Sequence, residues 1–166
     1  MIIGQTVRIR YPELVEIGDN VIIDDFTYIS TALKIESYVH ISSGAKIIGG
    51  RTCTVSFGSF STLAPNVVLA AGSDDYMAGL ATPLVEAKYK GKVQYGDIKI
   101  GRHCIVGASS VIMPGVTLHD GASVGALSLV KSDLEPWTLY AGTPARALKV
   151  RDRASITKLE QEFLKK

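Results

Sequence analysis

Isoleucine occupies positions 17, 23, 29, 35, 41 and 47, six occurrences in steps of six. The interval returns as Ile100, Val106, Ile112, Leu118, Val124 and Val130, and in a shorter run as Phe57, Leu63 and Leu69. Four residues behind many of these lies a second column of small or β-branched residues: Val21, Thr27, Val39, Ala45, Ser61, Val67, Cys104, Ser110, Val116, Ala122 and Ser128. A period of six fits neither the 3.6-residue turn of an α-helix nor the plain alternation of a strand. A short strand followed by a corner, repeated, does fit it. Three such units make a triangular coil, and coils stacked at about 4.8 Å hydrogen-bond strand to strand. The spacing therefore predicts an all-β solenoid rather than a sandwich, whose turn signals recur at roughly 8–12 residues.

Residues 15–71 and 98–135 are expected to supply about five coils of this repeat. The phase slips where Gly49, Gly50, Arg51 and Thr52 intervene, which reads as a widened corner. It is lost altogether over 72–97, a stretch with Gly72, Gly79, Pro83, Gly91 and Gly96 and no repeat. A structureless insertion of that length in a compact domain is read as a substrate loop. After Val150 the apolar spacing changes to Ile156, Leu159 and Phe163, an amphipathic helix with Asp152 as its candidate N-cap. It is expected to cover an end of the solenoid or a neighbouring subunit. The organisation is thus a β-helix domain over 1–150 and a helix over 151–166.

With 166 residues, 46% of them hydrophobic, one continuous core is affordable and two are not. Eighteen Lys and Arg face sixteen Asp and Glu, and a net charge of +2 gives no reason to expect a nucleic-acid partner. Residues 1–10 lack the long apolar run of a signal peptide, and no stretch has membrane-spanning length. Cys53 and Cys104 stand far apart with no C-x-x-C partner, which points away from zinc or a disulfide framework and towards the cytoplasm.

The units Ile17-Gly-Asp-Asn-Val-Ile, Ile100-Gly-Arg-His-Cys-Ile, Val106-Gly-Ala-Ser-Ser-Val and Val124-Gly-Ala-Leu-Ser-Leu resemble those of the hexapeptide-repeat acyltransferases. So do the stretch from Val106 to Val130 and the tail Gly142-Thr-Pro-Ala-Arg146, which look like that family's coenzyme A end. The resemblance implies a left-handed β-helix, an acyl-CoA donor such as acetyl-CoA, no metal, and a homotrimer with active sites between subunits. It also implies candidate donor contacts: Gly107, Ala108, Gly125 and Ala126 along a pantetheine groove, Lys131, Arg146 and Lys149 for phosphates, and Pro144 against adenine.

Relatives acting on sugar hydroxyls carry a histidine base just after the strand that here ends at Ala70. This chain has Asp74 and Asp75 instead, within Gly72-Ser-Asp-Asp-Tyr76. An alcohol needs an imidazole-type base, whereas a sugar ammonium gives up its proton far more readily, so a carboxylate can serve an amine. Together with His40-Ile-Ser-Ser-Gly-Ala-Lys-Ile-Ile-Gly-Gly50, this stretch resembles the subgroup acting on nucleotide-linked amino sugars. The expected activity is N-acylation of such a sugar for surface polysaccharide synthesis, by direct attack on the thioester. Asp74, Asp75 and His40 are the candidate catalytic residues. The alternatives are O-acetylation of a sugar with His40 as base, and a non-catalytic trimeric β-helix. His103 and His119 read as structural, and neither forms the spaced histidine pair of the metal-binding relatives.

Overall fold

The computed structural model describes residues 1–165. The six-residue columns are literal columns. Ile17 lies in register with Ile35, Phe57, Ile100 and Leu118. Ile23 is in register with Ile41, Leu63, Val106, Val124 and Tyr140, and Ile29 with Ile47, Leu69, Ile112 and Val130. These three rows define the three faces of a parallel β-helix that matches the left-handed type, with about 7 turns. The first face carries Ile23, the second Ile29 and the third Ile17.

Both predicted columns point inward. Ile17 is half-buried at the start of the solenoid, and every other member of the two columns is buried. The small second column sits at the corners, where the prism is too narrow for a large side chain. Its serines find carbonyls: Ser61 donates to Gly58 at 2.7 Å, Ser128 to Gly125 at 2.7 Å, and Ser110 to Gly125 of the next coil at 2.9 Å. Such pairing removes the cost of burying a polar atom in an apolar prism. The buried Thr27 hydroxyl, by contrast, has no partner among the described residues.

The solenoid extends past the limits of the visible period. Ile2–Ile3 pairs with Ile22–Ile23, and Arg8–Ile9 with Tyr28–Ile29. At the other end Thr138–Gly142 stacks on Ser123–Val124 and is folded back on by Ala145–Val150 in an antiparallel hairpin. The 3₁₀ turn Pro12–Leu14 sets Ile17 out of step with Ile9, which hides the first turn from a search for sixes.

Both interruptions fall on the same edge, between the second and third faces. The four-residue insertion shifts the register of Tyr28–Ile35 against Lys46–Phe57 between Ser30 and Ala32, as a widened corner should. The 72–97 loop leaves one coil above, where Gly49 packs so tightly that a side chain would collide with Ala71 and crowd Cys53 and Thr31. The loop's two ends are joined by antiparallel pairing of Gly72–Ser73 with Gln94–Tyr95.

Helix α1, Arg153–Phe163, begins at Asp152, whose side chain accepts from the Ser155 N–H at 3.0 Å. It caps no end. It lies on the edge between the third and first faces, over an aromatic ladder that the sequence period does not reveal. Each corner there holds one residue in the left-handed region, among them Tyr38, Phe60, His103 and Trp137 with φ of 62, 61, 59 and 54°. Stacked coils bring the first three of these face to face, and Trp137 follows His103 tilted by 39° with centroids 5.8 Å apart. Tyr38 and Phe60 are parallel with centroids 4.8 Å apart, and Phe60 and His103 follow at 5.5 Å. Phe163 of α1 meets Tyr38 edge-on at 5.3 Å, and Glu160 bonds both Arg102 and His103 Nε2, the latter at 2.8 Å. An apolar ladder of this length needs a cover, and α1 supplies it. No helix among the described residues is long and apolar enough to cross a membrane.

Candidate active site

The candidate catalytic carboxylates have different surroundings. Asp75 is used up by its own loop: Oδ1 accepts from the N–H groups of Met77 at 2.8 Å and Ala78 at 3.2 Å, and Oδ2 from that of Lys92 at 2.8 Å. The Met77 and Lys92 hydrogen bonds hold its carboxyl below the ordinary range. Asp74 is exposed, and among the described residues its carboxylate has no hydrogen-bond partner. The two line a groove of about 490 Å³ with Tyr76, Met77, Ala78 and Gly79. A second groove, of about 350 Å³, opens beside Asp74 towards Lys92, Gln94 and Met113. Sequence position alone could not separate the two aspartates; their hydrogen bonds do.

His40 lies elsewhere. It points outward from the first face in register with Ile22 and Thr62, on the side of the prism opposite the loop's edge. Its Nε2 is 2.8 Å from Asp24 Oδ2, and both side chains are half-exposed. Sequence reasoning missed Asp24. The signal was available, since Asp24 and His40 occupy neighbouring coils two positions out of register.

The candidate donor residues divide in the same way. Gly107, Ala108, Gly125 and Ala126 sit together on the edge between the first and second faces. Gly107 leaves no room for a side chain beneath Ala126, so its glycine is required by stacking. The N–H groups of Gly107 and Gly125 bond to the carbonyls of Val124 and Tyr140, at 2.7 and 2.8 Å. Those of Ala108 and Ala126 enter no backbone bond among the described residues, so only these two remain for a ligand. Pro144 is exposed at the hairpin tip, where Thr143 bonds the Leu127 carbonyl at 3.2 Å. Arg146 and Lys149 face Ala141 and Leu139 across that hairpin. Lys131 follows Val130 on the loop's edge, away from this group.

A parallel β-solenoid of about 7 turns, a carboxylate-bearing loop and a glycine-tight edge define a β-helix transferase. Residues 97–132 match the family model for bacterial transferase hexapeptide, six repeats. The chain is 35% identical over 154 residues to a dTDP-4-amino-4,6-dideoxy-D-glucose acyltransferase of Escherichia coli, covering 90% of this chain and 78% of that one. It is 29% identical over 156 residues to the galactoside O-acetyltransferase of Escherichia coli K12, covering 86% and 73%. Among solved structures it superimposes with a TM-score of 0.93 on AntD, an N-acyltransferase from Bacillus cereus in complex with dTDP and 3-hydroxybutyryl-CoA. That match has 36% identity and covers 98% of this chain and 86% of that one. The chain belongs to the hexapeptide-repeat transferase family.

Proposed function

We propose that this chain is an acyl-CoA-dependent N-acyltransferase acting on a nucleotide-linked amino sugar, working in the cytoplasm for surface polysaccharide synthesis. The observation that carries this reading is Asp74, an unpaired carboxylate on a loop rim that has no histidine. AntD, the solved relative described above, is bound to dTDP and an acyl-CoA. A variant of it binds dTDP-4-amino-4,6-dideoxyglucose and coenzyme A.

In the proposed reaction the free sugar amine attacks the thioester carbonyl directly. The carbon becomes tetrahedral and its oxyanion is met by backbone N–H groups, for which those of Ala108 and Ala126 are the candidates. The C–S bond breaks and coenzyme A leaves as its thiolate, while Asp74 orients the amine and accepts its proton. Asp75 shapes the loop that presents Asp74. Arg146 and Lys149, with Lys131 from the other edge, are the proposed phosphate contacts, and Pro144 the adenine contact.

The opposed positions of these groups favour a site between protomers. Outward residues of the first and second faces are often apolar, including Ile22, Ile105, Val68, Val111 and Leu129, whereas the third face turns out Glu16, Lys34, Ser56 and Lys99. On the edge joining the first two faces, Phe26 and Leu127 are each 73% exposed. A homotrimer with that edge at its axis buries this surface and sets the first face of one protomer against the second face of the next. His40 and the glycine edge then meet the neighbour's loop and Lys131.

A second reading is O-acylation, favoured by the Asp24–His40 pair, which resembles a base with its orienting carboxylate. A thiol-release assay with acetyl-CoA against nucleotide-linked amino sugars and plain glycosides decides between the acceptors. Turnover confined to plain glycosides defeats the first reading. A non-catalytic β-helix would release no thiol and show no saturable acetyl-CoA binding.

A further inference from the structure

The first three coils segregate their charge. Arg8, Tyr28 and Lys46 form one outward column on the second face, each a coil apart. Arg10 lies beside that column on the edge where the loop emerges, and Arg51, from the widened corner, reaches down to the same place. Tyr11 serves as the platform: the guanidinium of Arg51 lies 4.7 Å from its ring centroid and that of Arg10 lies 5.5 Å away. Arg8 is placed likewise 5.9 Å from the Tyr28 ring. Stacking of this kind fixes a guanidinium plane while leaving its N–H edge open to an anion. The one carboxylate in the group is Glu13, paired to Arg51 at 2.7 Å. Arg8, Arg10 and Lys46 have no acidic partner among the described residues. Other acids of these coils go elsewhere: Glu16 to Lys34, Asp24 to His40, Asp25 to Thr6.

The patch is aligned with the loop. From the Arg10 row the rows of Ser30, Ile48 and Ala70 follow in register, and Ala70 leads directly into Gly72–Ser73 and Asp74. Three coil spacings at ~4.8 Å separate the Arg10 row from the Ala70 row, about 14 Å in all. That is the scale of a nucleoside diphosphate. The candidate donor residues occupy the opposite end of the prism.

We infer that Arg8, Arg10, Lys46 and Arg51 bind the diphosphate of a nucleoside diphosphate, so that the acceptor's nucleotide lies on the first three coils and its sugar reaches Asp74. This rests on the acceptor reading above. Planar, preorganised guanidinium groups suit phosphate oxygens, and three unpaired cations more than neutralise the two charges of a diphosphate esterified at both ends. Coenzyme A, whose own phosphates would seek cations, is kept to the far end by Arg146 and Lys149.

The test uses the full-length protein and titration calorimetry with thymidine diphosphate and, separately, coenzyme A. Arg8→Gln and Arg10→Gln are made singly and together, both side chains being exposed in the single protomer, with Lys99→Gln on the third face as control and the oligomeric state of each variant compared with wild type. The double variant is expected to bind thymidine diphosphate at least tenfold more weakly and with a shallower salt dependence, while its coenzyme A affinity and melting temperature stay unchanged. Unaltered thymidine diphosphate affinity in the double variant, or an equal loss for coenzyme A, overturns the inference alone. Wild-type protein that binds no nucleoside diphosphate yet acylates a plain sugar overturns the acceptor reading, and this inference with it.

Discussion

Asp75 Oδ2 accepts a hydrogen bond from the backbone N–H of Lys92 at 2.8 Å, clasping the outgoing and returning halves of the 72–97 loop. Adjacent carboxylates thereby acquire different work. One is bound into the loop's geometry and the other is left for a ligand.

Asp74→Asn is expected to lower kcat by about 10²-fold or more, the usual loss when a positioned proton acceptor is removed, with the KM for acyl-CoA and the melting temperature unchanged. Asp75→Asn should instead raise the acceptor's KM and open the loop to proteolysis, because an amide cannot accept all three backbone bonds. The double variant should be inactive yet bind coenzyme A normally. Steady-state kinetics on the three proteins checks the division.

His40→Asn separates the two acceptor chemistries. Under N-transfer the imidazole is at most an acceptor contact, so the variant should raise KM for the sugar and leave kcat within a few-fold. A collapse of kcat with KM intact would mark His40 as the base of O-transfer.

The columns of six were legible because stacking forces every coil to present the same positions inward, and each predicted member from Val21 to Val130 is buried or nearly so. What escaped has an equally physical cause. The left-handed corner residues Tyr38, Phe60, His103 and Trp137 are aligned by the same stacking, yet they point outward and tolerate any chemistry, so no pattern marks them. Their ladder explains why α1 lies along an edge rather than over an end. The Asp24–His40 pair was hidden because its members are distant in sequence and meet only through coil stacking. Asp74 and Asp75 were found together and separated only by the backbone donors around them.

Glu160 is largely buried against Arg102 and His103. Glu160→Ala should cost about 1–3 kcal/mol, since it strands the buried His103 without its partner and frees the half-exposed Arg102. The cost should appear as a lower denaturant midpoint together with faster proteolysis after Val150, while acyl transfer at low temperature persists.

Burial pushes the Cys104 thiol up to about 12, so almost none is thiolate at pH 8. Native protein should leave Cys104 unmodified by an aromatic disulfide reagent at that pH, and denatured protein should expose both Cys104 and Cys53 to it. Mass spectrometry of the labelled peptides checks this.

The central claim is that a loop carboxylate serves an amine. Its most direct measurement supplies acetyl-CoA with two matched dTDP-linked sugars that differ only in bearing an amino or a hydroxyl group at the reacting carbon, and follows thiol release with mass analysis of the product. The account predicts rapid release with the amino sugar, an amide as product, and at least 10²-fold slower release with its hydroxyl twin. Equal turnover of the two, or an ester as the main product from the amino sugar, would contradict it.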